Sequence, residues 1–296
     1  MFGPSERCLG KYGYAHHRSK AHAQMIRDTQ DLFREKFSIP DDKVILFVNG
    51  CGTLANEIVL ASWRGYTLPW GNGEFLDRLK KLIENHCRLV SINSQVIFGV
   101  GYETARSEKR DGPGNPEQYA VRCFVFEDCV SAFPYYDPWQ EADVWTTVCG
   151  KQLGCDPGLA VIVASKEFCR GCSDNYDVGS CLSLWELYHN DEGWNESPHT
   201  PASMLILELQ NRLVLFNLAE HRARIDARRA WLTAAIPPEQ IMGEGPVFTI
   251  KYGLLSDDFI EQWGMYHGTY GPQLFLHWGR DALYKEFCCS IKKEMK

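Results

Sequence analysis

Residues 145–167 read WTTVCGKQLGCDPGLAVIVASKE, and Lys151, in the first half of the stretch, governs how the chain is read. WTTV has the character of a strand end. CDPG is a turn. LAVIVAS is a strand too apolar to face water. A lysine among small residues at such a junction is not a typical surface lysine. Partly removed from water, its amine has a lowered pKa and can form a Schiff base with an aldehyde. Taken alone, such a lysine more often keeps its head at the surface along a buried stem.

Upstream, the same pattern of buried strands and turns repeats. VRCFVFEDCVS is an apolar strand that ends at Asp128, 23 residues before Lys151. In open α/β sheets ligands gather at the carboxyl ends of strands, where an aspartate can pair with a cationic ring nitrogen or bind a metal. It can equally cap the next segment. Further upstream, KVILFVNG is a buried strand, and GCGTLANEIVLASWRG turns on its glycines into a helix. A turn of this kind offers backbone N–H groups and the positive end of a helix dipole, which favours a phosphate, and Thr53 adds a hydroxyl. It matches neither G-x-G-x-x-G nor G-K-[ST], so the dinucleotide and P-loop readings are weak.

Around these segments, AHAQMIRDTQDLFREKFSI has apolar residues at helical spacing, with Pro40 and two aspartates to stop it. GNGEFLDRLKKLIENHC reads as a turn and a helix, QVIFGVGY as a strand, and EKRDGPGNPEQ as a surface loop. Alternating strands and helices predict an α/β fold with a mainly parallel central sheet and flanking helices. One long helical stretch runs from Thr200 to Leu232, followed by short strand signals in PVFTIKYG and QLFLHWG and a closing helix, which together read as a small α+β unit. The expected organisation is an N-terminal arm at 1–21, a large domain at 22–208 and a small C-terminal domain at 209–296.

Bulk composition narrows the function. The net charge of −7 argues against a nucleic-acid surface. No apolar run reaches the ~18 residues of a membrane helix, and the opening residues lack a signal-peptide core, so a cytoplasmic location is expected. Twelve cysteines is a high count, yet only Cys169 and Cys172 stand at metal-like spacing. Cys181 is a candidate third ligand, and Cys288 and Cys289 are adjacent. With no second pair at similar spacing, buried hydrophobes and loop thiols are expected and no metal.

A phosphate turn, an acid for a ring nitrogen and an amine for an aldehyde are together the needs of pyridoxal 5'-phosphate (PLP). At this point the sequence resembles the fold-type I PLP-dependent enzymes, in particular the class V aminotransferases such as the alanine–glyoxylate and phosphoserine aminotransferases. The resemblance runs in order from Gly3 to about Gly279. FGPSE is similar to the family's opening Gly-Pro segment, and HHRSKAHAQM to its His-Arg-Ser segment, here His17, Arg18 and Ser19. NGCGTLANE resembles the phosphate turn, which implicates Cys51, Gly52 and Thr53. NGEFLDRL makes Phe75 the counterpart of the aromatic that stacks on the cofactor ring, and GYETARS puts Thr104 near its phenolic oxygen. EDCVSAF implies Asp128 on the pyridine nitrogen, and GKQLGCDPGL implies Lys151 as the Schiff-base lysine. HTPASMLILELQNRL resembles the Thr-Pro segment whose threonine reaches the neighbouring subunit's phosphate, which implies a role for Thr200 and a homodimer with a shared site.

Three departures stand beside the resemblance. Gly150 occupies a position where many relatives have Gln or His. His277, in LHWG, stands where relatives that bind an α-carboxylate usually carry an arginine, with Arg280 close behind. The chain is also short for the family, so a pocket that is more open or completed by a partner chain is expected. His17, His277 and Arg280 are the expected substrate-binding residues. The expected activity is a PLP-dependent aminotransferase acting on an amino acid or related amine. A lyase, desulfurase, decarboxylase or epimerase of the same fold is the alternative, and a non-catalytic module the second alternative.

Overall fold

The computed structural model describes residues 7–8, 10–63, 66–69, 74–86, 96–102, 122–138, 140, 142–173, 182–194, 198–243, 245–268 and 270–294. It opens with a short hairpin, β1 (Arg7–Cys8) and β2 (Tyr14–Ala15), followed by α1 (Lys20–Phe37), β3 (Lys43–Asn49) and α2 (Gly52–Ser62). Next come β4 (Tyr66–Pro69), α3 (Glu74–His86), β5 (Val96–Tyr102), β6 (Arg122–Asp128), β7 (Val144–Val148) and β8 (Leu159–Ser165). Helices α4 (Lys166–Gly171), α5 (Leu184–Trp194), α6 (Ser203–Leu215) and α7 (Leu218–Thr233) follow. The chain ends with β9 (Ile241–Met242), β10 (Val247–Ile250), α8 (Asp257–Gln262), β11 (Tyr266–Gly268), β12 (Gly271–Phe275) and α9 (Asp281–Glu294).

Six strands form the central sheet in the order β3-β8-β7-β6-β5-β4. The pairs β4–β5, β5–β6 and β6–β7 are parallel, while β8 runs antiparallel to both β7 and β3. Every residue of β8 is buried, as its unbroken apolar sequence requires. Its side chains divide by the two-residue strand period. Ala160, Ile162 and Ala164 join the core under α2 and α3, with Ile58, Leu79 and Phe168. Leu159, Val161 and Val163 join the opposite core under α1 and α6, with Met25, Phe33, Ile206 and Leu213. The sheet is thus covered on both faces. A second, antiparallel sheet, β11-β12-β10-β9, carries a third core with α7, α8 and α9, built around Ile225, Leu232, Phe248, Phe259 and Phe287.

Helix limits follow local chemistry. The Ser19 hydroxyl caps α1 by accepting the His22 amide at 3.2 Å, and the helix ends with Ser38 in the left-handed region at φ 51°. The stop therefore comes just before Pro40 and its aspartates. The single helical stretch expected from Thr200 to Leu232 is two helices. Phe216 turns extended, and the Asn217 side chain accepts the Glu220 amide at 3.2 Å to start α7. The break falls where the chain passes from the second core to the third. The boundary expected at 208/209 lies inside α6, whose Leu209 and Leu213 pack in the second core.

Candidate active site

The carboxyl ends of β3, β6 and β7 lie on one edge of the central sheet, because β8 runs opposite to its neighbours β3 and β7 and β6 pairs parallel with β7. Asp128 is the last residue of β6 and is 4% exposed. Its Oδ1 accepts the Val130 amide at 2.9 Å, and its Oδ2 accepts the Asn56 side-chain amide at 2.8 Å. Asn56 is oriented in turn by Thr146 of β7, whose hydroxyl donates to Asn56 Oδ1. Burial pushes the Asp128 carboxyl above its ordinary range, while the two donors and the charge of Lys151 favour the ionised form.

Lys151 sits on a compact turn after β7. The Cys149 amide donates to the Leu159 carbonyl, the Gly154 amide to the Lys151 carbonyl and the Cys155 amide to the Cys149 carbonyl, at 2.9, 3.0 and 3.1 Å. Lys151 Nζ donates to Ser131 Oγ at 2.7 Å. The next residue, Gln152, donates to the Ser131 carbonyl and faces His221 Nε2 at 3.0 Å with its own oxygen. Lysine and acid are thus joined through the 128–131 segment. Burial pushes the Cys149 thiol well up, so it remains an inert packing group.

The Cys51–Thr53 turn meets this cluster through Gly52. A Cβ there would lie 2.5 Å from Val130 Cγ2, so only glycine lets the first turn of α2 close on the residue two after Asp128. Cys51 and Thr53 are exposed, and no side chain caps the helix start. Asn49 ties Thr200 to the same region, since its side chain donates to the Thr200 carbonyl and accepts the Ala202 amide at 2.7 Å. Gly150 also has a steric cause, because a Cβ there would lie 2.9 Å from the Pro157 Cα.

Phe75 falls in the first turn of α3, with its side chain outside the described residues, and Thr104 lies outside them altogether. His17 stands beside His16 before α1, where the two rings help depress His22, whose Nε2 meets Ser203 Oγ at 2.9 Å. Residues 276–279 are a turn and not the expected strand, since β12 ends at Phe275. The cause is Arg228, whose side chain is 2% exposed. Its guanidinium takes the carbonyls of Leu276, Trp278 and Gly279 at 2.7–2.8 Å and pairs with Asp281 at 2.8 Å. Carbonyls held this way do not continue a ladder. Within the turn, His277 is partly buried, and burial with the charges of His221, Lys151 and Arg228 lowers it to about 3. Arg280 is exposed, next to the start of α9.

Sequence reasoning assigned no role to Asn49, Asn56, His221 or Arg228. The first two stood in the quoted strand and turn, where an asparagine either side of a glycine turn is the available signal. The latter two lie in HRARIDARRAW, a charge-rich part of the long helical stretch that carries no such signal. Among the described residues, no three His, Cys, Asp or Glu side chains gather as a metal site. Cys169 and Cys172 are buried in the first core, Cys181 lies outside the described residues, and Cys288 and Cys289 lie in α9. No described helix is long and apolar enough to cross a membrane.

No family model and no curated protein matches the chain. Solved structures do. The chain superposes on a phosphoserine aminotransferase from Cytophaga hutchinsonii with a TM-score of 0.78 at 15% identity, covering 97% of this chain and 92% of that one. For an alanine–glyoxylate aminotransferase from Nostoc sp. the TM-score is 0.75 at 15% identity, covering 95% and 89%. For a PLP-bound phosphoserine aminotransferase from Trichomonas vaginalis it is 0.71 at 13% identity, covering 94% and 90%. The chain thus shares the fold of these fold-type I aminotransferases.

Proposed function

We propose that this protein is a PLP-dependent aminotransferase acting on an amino acid or related amine, with Lys151 as the residue that binds the cofactor covalently. The observation that carries the reading is the meeting of Asp128 and Lys151 at the carboxyl edge of the sheet, both oriented by hydrogen bonds. The donor set fits the cofactor. A buried carboxylate held by two donors is matched by a protonated ring nitrogen, which offsets the cost of burial. The uncapped first turn of α2 presents amides suited to a phosphate.

When bound, PLP supplies an aldehyde for a lysine amine and a ring that takes up the electron pair of a breaking substrate bond. The remaining work belongs to the protein. Asp128 keeps the proton on the ring nitrogen, and Asn56 and Val130 keep Asp128 in line. Ser131 holds Lys151 Nζ in place. With an amine substrate in the site, the free Nζ would be placed to take up and return the proton of the substrate Cα. Gly52, Thr53 and the Cys51 backbone would hold the phosphate, with Thr200 reaching the phosphate of the neighbouring subunit. The Pro157 backbone leaves no space for a side chain at 150 to share that task. Phe75 and Thr104 complete the cofactor contacts, His17, His277 and Arg280 face the substrate, and the working unit is a homodimer.

The visible spectrum of protein supplied with PLP is the test. A band that Lys151→Ala abolishes, with borohydride fixing the cofactor to the peptide containing Lys151, is the expected result. No band in the wild type refutes the reading. Sedimentation equilibrium tests the dimer.

A further inference from the structure

His277 is left unsatisfied by the fold. Its Nδ1 and Nε2 are both closed off from solvent, and neither has a hydrogen-bond partner among the described residues. Native structures satisfy nearly all buried polar atoms, and each exception needs a cause. The neighbouring polar groups have theirs. Asp128 is held by Asn56 and Val130, Gln152 by Ser131 and His221, and Arg228 by Asp281 and three carbonyls.

Helix α7 positions the ring. His221 and Arg228 are seven residues apart, two helical turns, and so share a face. At one end of that face His221 holds Gln152, the neighbour of Lys151. At the other, Arg228 grips the carbonyls on both sides of His277. The ring is therefore fixed by its backbone within the field of Lys151, His221 and Arg228, and these charges with burial keep it neutral. A neutral imidazole presents one N–H donor and one bare nitrogen acceptor. Its complement is a group that both accepts and donates. A carboxylate only accepts, so it would leave the bare nitrogen facing negative oxygen.

We infer that His277 is a specificity-determining residue and that the substrate group it takes is a neutral hydroxyl or carboxamide. This rests on the aminotransferase reading and narrows its substrate class. The test titrates PLP-loaded protein with two matched amine pairs, L-alaninamide against L-alanine and serinol against L-serine. The cofactor band and calorimetry report binding. The member of at least one pair that carries the uncharged group in place of the carboxylate is expected to bind at least about tenfold more tightly, and the pair that responds distinguishes carboxamide from hydroxyl. His277→Gln, which keeps a donor and an acceptor, should retain the preference, and His277→Arg should reverse it. Wild-type preference for the carboxylates, or an unchanged ratio in a folded His277→Arg protein, overturns the inference alone. Failure to take up PLP at all removes the aminotransferase reading and this inference with it.

Discussion

Asn56 supports the acid from inside α2. Replacing it with alanine leaves Asp128 Oδ2 without its side-chain donor and Thr146 without its acceptor. Losing one partner of a buried, charge-assisted bond costs about 1.5–3 kcal/mol. Asn56→Ala should therefore lower the urea midpoint by a corresponding amount and weaken PLP uptake, and an unchanged midpoint would dismiss the bond as incidental. Gly150 makes the opposite kind of prediction. Gly150→Ala forces a methyl against the Pro157 backbone, an overpacking that costs about 1–3 kcal/mol, measurable in the same titration. At this scale the sequence was informative where chemistry is carried by residue type and spacing. Asp128 and Lys151 stood out, and the structure brings them together. Asn49 and Asn56 did not stand out, because an asparagine declares its partner only when the chain has folded.

At the scale of elements, α7 holds the site together. Arg222 donates to the Pro134 carbonyl and pairs with Asp137, and Asp226 accepts the Tyr135 hydroxyl at 2.6 Å. His221 takes Gln152, and Arg228 takes the turn around His277. One helix thus fastens the segment after Asp128, the residue after Lys151 and the C-terminal turn. Arg228→Met should cost about 2–4 kcal/mol, because it removes the shared donor of three carbonyls at once. Asn217→Ala should cost only about 1 kcal/mol, the usual worth of an N-cap. Thermal melts of the two variants check the ranking, and equal losses would deny Arg228 its role. The periodic apolar strands and α1 were readable because their partners are water or core. The break at Phe216 and Asn217 was not, because both sides of it are helical in sequence and only the change of core separates them.

For the molecule as a whole, buried histidines set the response to acid. His22 and His221 are 1% and 6% exposed, and burial, first among the causes, lowers each to about 4. The unfolded chain binds protons at these rings from about pH 6.5 downward, and the folded chain does not. Stability is thus complete above that pH and is lost progressively as pH falls from 6.5 through 4, by about 2–3 kcal/mol per histidine. Urea midpoints taken from pH 7.5 to 4.5 should fall accordingly, and His22→Gln should flatten the curve. The layered α/β plan was legible because alternation of strand and helix is a whole-chain signal. The antiparallel setting of β8 was not, since LAVIVAS has the same composition in either direction.

That setting of β8 has a consequence for how the chain is made. Among the described strands β3 hydrogen-bonds only to β8 within its sheet, and Lys43 pairs with Ser165, more than a hundred residues later. A strand released early from the ribosome must wait for one released late before its edge is paired, and contacts so distant in sequence slow folding. Until then the turn at 50–53 lacks the paired strand that leads into it, and with it a fixed place against Val130 and Val148. On the proposed function, cofactor capture is an event of the finished central sheet, and a nascent chain halted before Leu159 should carry no binding capacity at all.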